Sequence, residues 1–232
     1  MLRVGDLVNL ALDCLFPKQC VGCGRVGSFI CPECAAHLPC LLPPICPRCG
    51  QPQASGILCP TCAGRTSSVL AIRSAFRFEG TIRAAIHELK YRNVRSLAPT
   101  LADYVTPLVH EVEYDPELVL PVPMHKSRLR KRGYNQASLL AISIGQSLAL
   151  PVCTDVLTRI KAGPSQVMSG SGEARWSSVQ GAYLCTNATV SDKRVLLVDD
   201  VCTTGATIEA CGGALRAAGA AEVVAVTVAR EV

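Results

Sequence analysis

The chain has 232 residues, 49% of them hydrophobic but only 4% aromatic, and a formal net charge of +5. That is enough apolar material for a sizeable core in one or two domains, filled by Ala, Val, Leu and Ile rather than by rings. No apolar stretch is long enough for a membrane-spanning helix, and a charge of this size does not by itself indicate a nucleic-acid partner.

In chain order, the first segment is "MLRVGDLVNLALDCLFP". Leu7, Leu10, Ala11 and Cys14 stand at helical spacing, so a short amphipathic helix is expected, ended by Pro17. Asp6, Asn9 and Asp13 interrupt its apolar run, and no small-residue cleavage site follows. A secretion signal is therefore not expected, and a cytoplasmic protein is.

Ten of the fourteen cysteines precede residue 63. Eight form C-x-x-C pairs: Cys20/Cys23, Cys31/Cys34, Cys46/Cys49 and Cys59/Cys62. Each pair is a knuckle in which two thiolates grip one tetrahedral ion, so four knuckles predict two structural zinc sites, a double zinc ribbon. Disulfides fit poorly with a chain lacking a secretion signal; iron–sulfur ligation is the alternative metal chemistry. Sites filled in chain order are the expectation, although the spacing also permits interleaved ligation. Cys14, Cys40, Cys153, Cys185 and Cys211 read as structural.

Residues 67–232 read as a separate α/β body after a ribbon module over 1–66. "SVLAIRSAFRFEG" is strand-like, and "TIRAAIHELKYRN" is a helix with Ile82, Ala85, Ile86 and Leu89 on one face. "LVLPVP" at 118–123 is the next core strand. It leads into Met124, His125, Lys126 and Ser127, and then into a basic run holding Arg128, Arg130, Lys131 and Arg132. Arginines in such a run can grip phosphate oxygens bidentately. A turn at Gly133 and a helix "ASLLAISIGQSLAL" follow. The segment 159–178 is rich in Gly and Ser and lacks an apolar face, so it reads as a loop.

The stretch "VLLVDDVCTTGAT" at 195–207 organises the rest. Val195 to Val198 form a continuous apolar run suited to a strand buried on both faces. Asp199 and Asp200 belong at its carboxyl end, where open α/β sheets bind ligands. Val201, Cys202, Thr203, Thr204, Gly205, Ala206 and Thr207 then enter a helix with Ile208, Cys211, Leu215 and Ala218 at helical spacing. Small residues before a helix N-terminus aim backbone N–H groups at one point, and phosphate is the natural guest. The acids can take sugar hydroxyls or Mg²⁺. The stretch thus reads as a sugar-phosphate site. A Walker-B reading fails because no G-x-x-x-x-G-K-[ST] lies upstream.

"VLLVDDVCTTGAT" resembles the phosphoribosyl-pyrophosphate (PRPP) motif of class I phosphoribosyltransferases. Together with the cysteine pairs, "HELKY" at 87–91, "VPMHKSRLRKRGYNQ" at 122–136, Gln166, Arg175 and "LRAAGAAEVVAVTVAR" at the end, it resembles the ComF family of bacterial competence-associated, GntX-like proteins. The resemblance covers nearly the whole chain. One departure is Ser178, where the family often carries Asn. The resemblance implies a class I phosphoribosyltransferase-type α/β fold, a mostly parallel sheet flanked by helices behind the zinc ribbon. It implies that Asp199 and Asp200 act on the ribose and Mg²⁺, and that residues 201–207 hold the 5′-phosphate. His125, Lys126, Arg128 and Arg132 would belong to the pyrophosphate loop, the 159–178 segment would close over PRPP, and the 81–93 segment would cap the site. Two activities are implied: transfer of phosphoribose to an acceptor, towards which this reading leans, or single-stranded DNA binding in DNA uptake, with PRPP or phosphate as a ligand. For the second, Arg128, Arg130, Lys131 and Arg132 are the candidate contacts, Tyr91, Tyr134 and Trp176 the candidate stacking rings, and the DNA-uptake machinery a candidate partner.

Overall fold

A computed structural model describes residues 17–161, 179, 181–186 and 188–232. The expected amino-terminal helix, Gln166, Arg175, Trp176 and Ser178 lie outside the described residues. No described helix is long and apolar enough to cross a membrane.

The elements run α1 (Pro32–Ala35), α2 (Pro60–Ala63), β1 (Ala71–Arg77), α3 (Gly80–Tyr91), α4 (Leu97–Val105), α5 (Pro107–Glu111), β2 (Leu118–Pro121), α6 (Lys126–Arg132), α7 (Gln136–Leu148), β3 (Leu157–Arg159), β4 (Tyr183–Cys185), β5 (Arg194–Cys202), α8 (Ala206–Ala217) and β6 (Glu222–Arg230). Four strands form a parallel sheet in the order β1-β6-β5-β2. β3 and β4, which lie between β2 and β5 in the chain, form a separate antiparallel pair.

Successive residues of a strand point to opposite faces, and β5 shows what that does here. Leu196 and Val198 enter a core with Ile86, Leu101, Leu140 and Ile144, on the side of α3, α4 and α7. Val195 and Leu197 enter a second core with Ile208, Cys211, Leu215 and Tyr183, on the side of α8 and β4. Both faces are covered, which is why the strand reads as an unbroken apolar run. On α3 the buried residues are Ile82, Ala85, Ile86 and Leu89, the face expected from the spacing. Gly212 and Gly213, unpromising inside a helix, divide in role. A Cβ on Gly212 would come within 2.5 Å of Val69 Cγ1, so α8 reaches the chain before β1 only because that side chain is missing.

The outer edge of β1 is not bare. Pro39 O accepts from Arg77 N–H at 2.8 Å, Leu41 N–H donates to Ala75 O at 3.0 Å, and Arg48 O accepts from Ile72 N–H at 2.7 Å. The cysteine-rich segment therefore lies along the sheet margin and satisfies its backbone groups.

Two local expectations are corrected. The basic run is not a loop: Lys126–Arg132 is a helix, N-capped by His125, whose Nδ1 accepts from Ser127 N–H, and closed by Gly133 in the left-handed conformation. The run carries no β-branched residue or internal glycine to oppose helix formation. Likewise β5 does not end at Val198. It continues to Cys202 because β6 keeps pairing alongside it, Asp199 with Thr227 and Cys202 with Arg230.

Candidate functional site

The eight paired cysteines gather as expected in chain order, Cys20, Cys23, Cys31 and Cys34 in one group and Cys46, Cys49, Cys59 and Cys62 in another. Within each group all four sulfurs lie within 4.8 Å of one another. Cys23 and Cys31 sulfurs are 3.6 Å apart, and Cys49 and Cys59 sulfurs 3.8 Å. A tetrahedron with zinc–sulfur bonds of about 2.3 Å has edges of about 3.8 Å, so both groups fit zinc. Backbone donors also favour thiolate. Cys31 N–H reaches Cys20 Sγ at 3.4 Å, and Cys59 N–H reaches Cys46 Sγ at 3.4 Å. Burial opposes ionisation of Cys20 and Cys46, but such N–H groups outweigh it and hold both thiols down at about 6. Gly50, directly after Cys49, is held to glycine: its φ is +73°, and a Cβ would sit 2.6 Å from Ile72 O.

The acid pair lies near the end of β5 in a cavity of about 180 Å³. Its walls come from α3 (Lys90, Tyr91), α6 (Arg128, Arg132), α7 (Gln136), β3 (Arg159), β4 (Tyr183) and α8 (Thr207), with Val122 to Met124 and Asn135 between. Lys90, Arg128, Arg132 and Arg159 give four cations against Asp199 and Asp200, an excess of two positive charges that suits an anion carrying more than one charge. Lys90 Nζ is 2.8 Å from Asp200 Oδ1, and both side chains are mostly buried. Asp199 Oδ1 accepts from Asp200 N–H at 2.8 Å. Burial first, and then the neighbouring Asp200 charge, push the Asp199 carboxyl up to about 7. Lys90 pairs with Asp200, and the crowding of two carboxylates that raises Asp199 is a condition that a divalent ion or a set of hydroxyl donors relieves.

Of the loop residues, Thr207 faces this cavity. Thr203, Thr204 and Gly205 line a neighbouring one of about 520 Å³ against the second cysteine group, beside Arg48, Arg65 and Arg230. Arg230 is 3% exposed. It donates to Cys49 O at 2.7 Å, to Gln51 Oε1 at 2.9 Å and to Cys202 Sγ at 2.9 Å, tying the ribbon to the end of β5. Burial pushes the Cys202 thiol up to about 11, so this cysteine is a packed small residue rather than a reactive one.

The basic set divides. Arg128 and Arg132 line the acid-pair cavity. Lys131 lines an adjoining groove of about 410 Å³ with Lys90, Tyr91, Asn93, Arg128, Arg132 and Tyr134. Lys126 and Arg130 are exposed, and His125 is occupied in capping α6. Among the stacking candidates Tyr91 is 58% exposed, whereas Tyr134 is buried beneath the Arg95 guanidinium at 4.4 Å and cannot take a base on that face. Arg159, Tyr183, Asn135 and Gln136 were not singled out by the sequence. Asn135 and Gln136 close the "VPMHKSRLRKRGYNQ" segment and Arg159 opens the 159–178 segment, whereas Tyr183 carried no signal.

Comparison with known families agrees with this architecture. A double zinc ribbon domain matches residues 11–63, and a phosphoribosyl transferase domain matches residues 130–231. The chain is thus a phosphoribosyltransferase-fold protein carrying a double zinc ribbon. Competence protein F of Haemophilus influenzae is 30% identical over 67% of this chain and 64% of that protein. DNA utilization protein YhgH of Salmonella typhimurium is 28% identical over 77% of this chain and 81% of that protein. The chain is therefore similar to competence and DNA-utilization proteins, and it spans 64% of the length of Competence protein F. Among solved structures, glutamine PRPP amidotransferase from B. subtilis covers 57% of this chain and 26% of its own, at 22% identity and a TM-score of 0.39.

Proposed function

We propose that the acid-pair cavity binds Mg-PRPP and that the protein transfers the phosphoribosyl group to an acceptor during the handling of incoming DNA. One observation carries this reading: two adjacent, largely buried carboxylates face four cations in a single cavity at the carboxyl end of the sheet. Asp199 and Asp200 would orient the ribose hydroxyls, and Thr207 with the α8 N-terminus would take the 5′-phosphate. Arg128 and Arg132 would take the pyrophosphate. Mg²⁺, held beside the acids, would neutralise charge on the departing pyrophosphate. In the transfer an acceptor nucleophile bonds to C1′, and the C1′–O bond breaks with its electron pair leaving on pyrophosphate. Cationic side chains already placed around the cavity would stabilise that developing charge.

A second reading has its own support. The groove beside the cavity joins Lys131 and Arg132 to the exposed ring of Tyr91, and Arg132 lies 5.2 Å over that ring. Cations tracking a backbone next to an aromatic face suit single-stranded DNA. Under this reading PRPP or phosphate is a ligand, and the protein binds DNA without transfer. Calorimetry with Mg-PRPP, beside a salt series of binding to a single-stranded oligonucleotide, tests both. PRPP-dependent heat that the variant Asp200→Asn abolishes upholds the PRPP site shared by both readings, and its absence in the wild-type protein refutes the first; release of pyrophosphate from PRPP upholds transfer, and single-strand binding with PRPP left intact upholds the second.

A further inference from the structure

Two buried side-chain polar atoms among the described residues have no partner in hydrogen-bond geometry, Gln136 Nε2 and the Tyr183 hydroxyl, the latter with the Thr207 side chain close enough to act on its phenol. Both residues line the cavity of Asp199 and Asp200. Gln136 is 1% exposed and Tyr183 5% exposed. Buried donors are almost always satisfied, so two orphans in one cavity point to groups that a ligand supplies.

Their orientations are fixed by the rest of the site. Arg132 Nη1 donates to Gln136 Oε1 at 2.6 Å. A guanidinium has no acceptor, so the amide cannot be flipped, and its NH₂ must be the end left without a partner. The Tyr183 ring lies beneath the Arg159 guanidinium at 5.5 Å, which holds it in place. Burial keeps its phenol far above the ordinary value, so it remains an O–H donor.

We propose that these two groups are ligand-contacting donors that complete the PRPP site, an inference that rests on the reading above. Gln136 opens α7 directly after the basic helix, beside Arg128 and Arg132, so its NH₂ meets a pyrophosphate oxygen while its carbonyl holds Arg132 in position. Tyr183 comes from the β3–β4 hairpin, with Thr207 and Asp199 lining the same cavity, so its hydroxyl meets the ribose-phosphate half. The ligand is gripped from the basic helix at one end and from the hairpin at the other.

The test is calorimetry with three probes, Mg-PRPP, Mg-pyrophosphate and ribose 5-phosphate, together with melting of the ligand-free protein. Gln136→Glu keeps an acceptor for Arg132 but turns a donor into a negative charge. Its ligand-free melting temperature should hold or rise, while affinity for PRPP and pyrophosphate falls about 10- to 100-fold, the loss of a hydrogen bond to a charged group. Gln136→Met, nearly isosteric, is held to the same affinity loss if the carboxylate disturbs packing. Tyr183→Phe removes one orphan hydroxyl. It should leave the ligand-free protein as stable or more so, and weaken PRPP and ribose 5-phosphate about 10-fold while sparing pyrophosphate. Wild-type binding that survives all three substitutions would overturn this assignment and leave the PRPP reading standing. Wild-type protein that binds none of the probes would overturn both.

Discussion

Replacing Asp199 with Asn should make the protein more stable, and increasingly so as the pH rises. An Asp in an unfolded chain titrates near 3.9, whereas burial and the Asp200 charge hold the native Asp199 at about 7. Between those values the native state binds more protons than the unfolded state, so stability falls as the pH climbs from about 4 to about 7 and then levels. A gap of about three pH units sets an upper bound of about 4 kcal/mol on the penalty above pH 7. About half of it is already present at pH 5.5, on the same relation. Asp199→Asn removes the charge but keeps an oxygen for the Asp200 N–H, which donates at 2.8 Å. Urea unfolding of both proteins, zinc present, at several pH values from 5.5 to 8 reads the difference. The variant's advantage should widen by about 2 kcal/mol across that range, while its affinity for Mg-PRPP falls. An advantage that does not change with pH, or a loss of stability at pH 8, would refute the account of the acid pair.

Metal analysis of the purified protein should return two zinc ions per chain, one for each four-cysteine group. Gly212→Ala should destabilise by about 1 to 3 kcal/mol in thermal melts, because the added methyl meets Val69 at 2.5 Å. Lys90→Met leaves Asp200 without its partner at 2.8 Å; Mg-PRPP titration should show weaker binding, and the pH dependence of stability should steepen. Arg130 and Lys131 lie outside the acid-pair cavity. Changing both to Gln should flatten the salt slope of single-strand binding by about 1.4, at about 0.7 per lost phosphate contact, with PRPP affinity unchanged.

What the sequence disclosed follows from what leaves a local trace. Four C-x-x-C knuckles are local, and so are the buried run Val195 to Val198 and the apolar face of α3; each appears where periodicity or spacing put it. The helical form of the basic run was missed because charge, not periodicity, dominates that stretch. Lys90 stood within a segment expected to cap the site, yet nothing in "HELKY" says that its ammonium meets Asp200 across 110 residues of chain. Arg159, Gln136 and Tyr183 come from separate segments that only the folded sheet brings together. Tyr134 was misread as a stacking ring because aromatic residues look alike in a sequence, whether their faces are free or covered by a guanidinium.

The hydrogen bonds from residues 39–48 to β1 give the ribbon a second task. A parallel sheet left with an open margin is a template for its own copies. Here that margin is sealed by chain running between the two cysteine groups, with Cys34 before it and Cys46 within it. Zinc held by these groups would thereby guard solubility as well as staple the fold. Chelation or thiol oxidation would release the seal, and the first symptom would be association of otherwise folded bodies edge to edge. A body expressed from residue 67 onward carries that exposed edge from the start, so it should be recovered as oligomers rather than as the well-behaved domain its boundary in the sequence suggests.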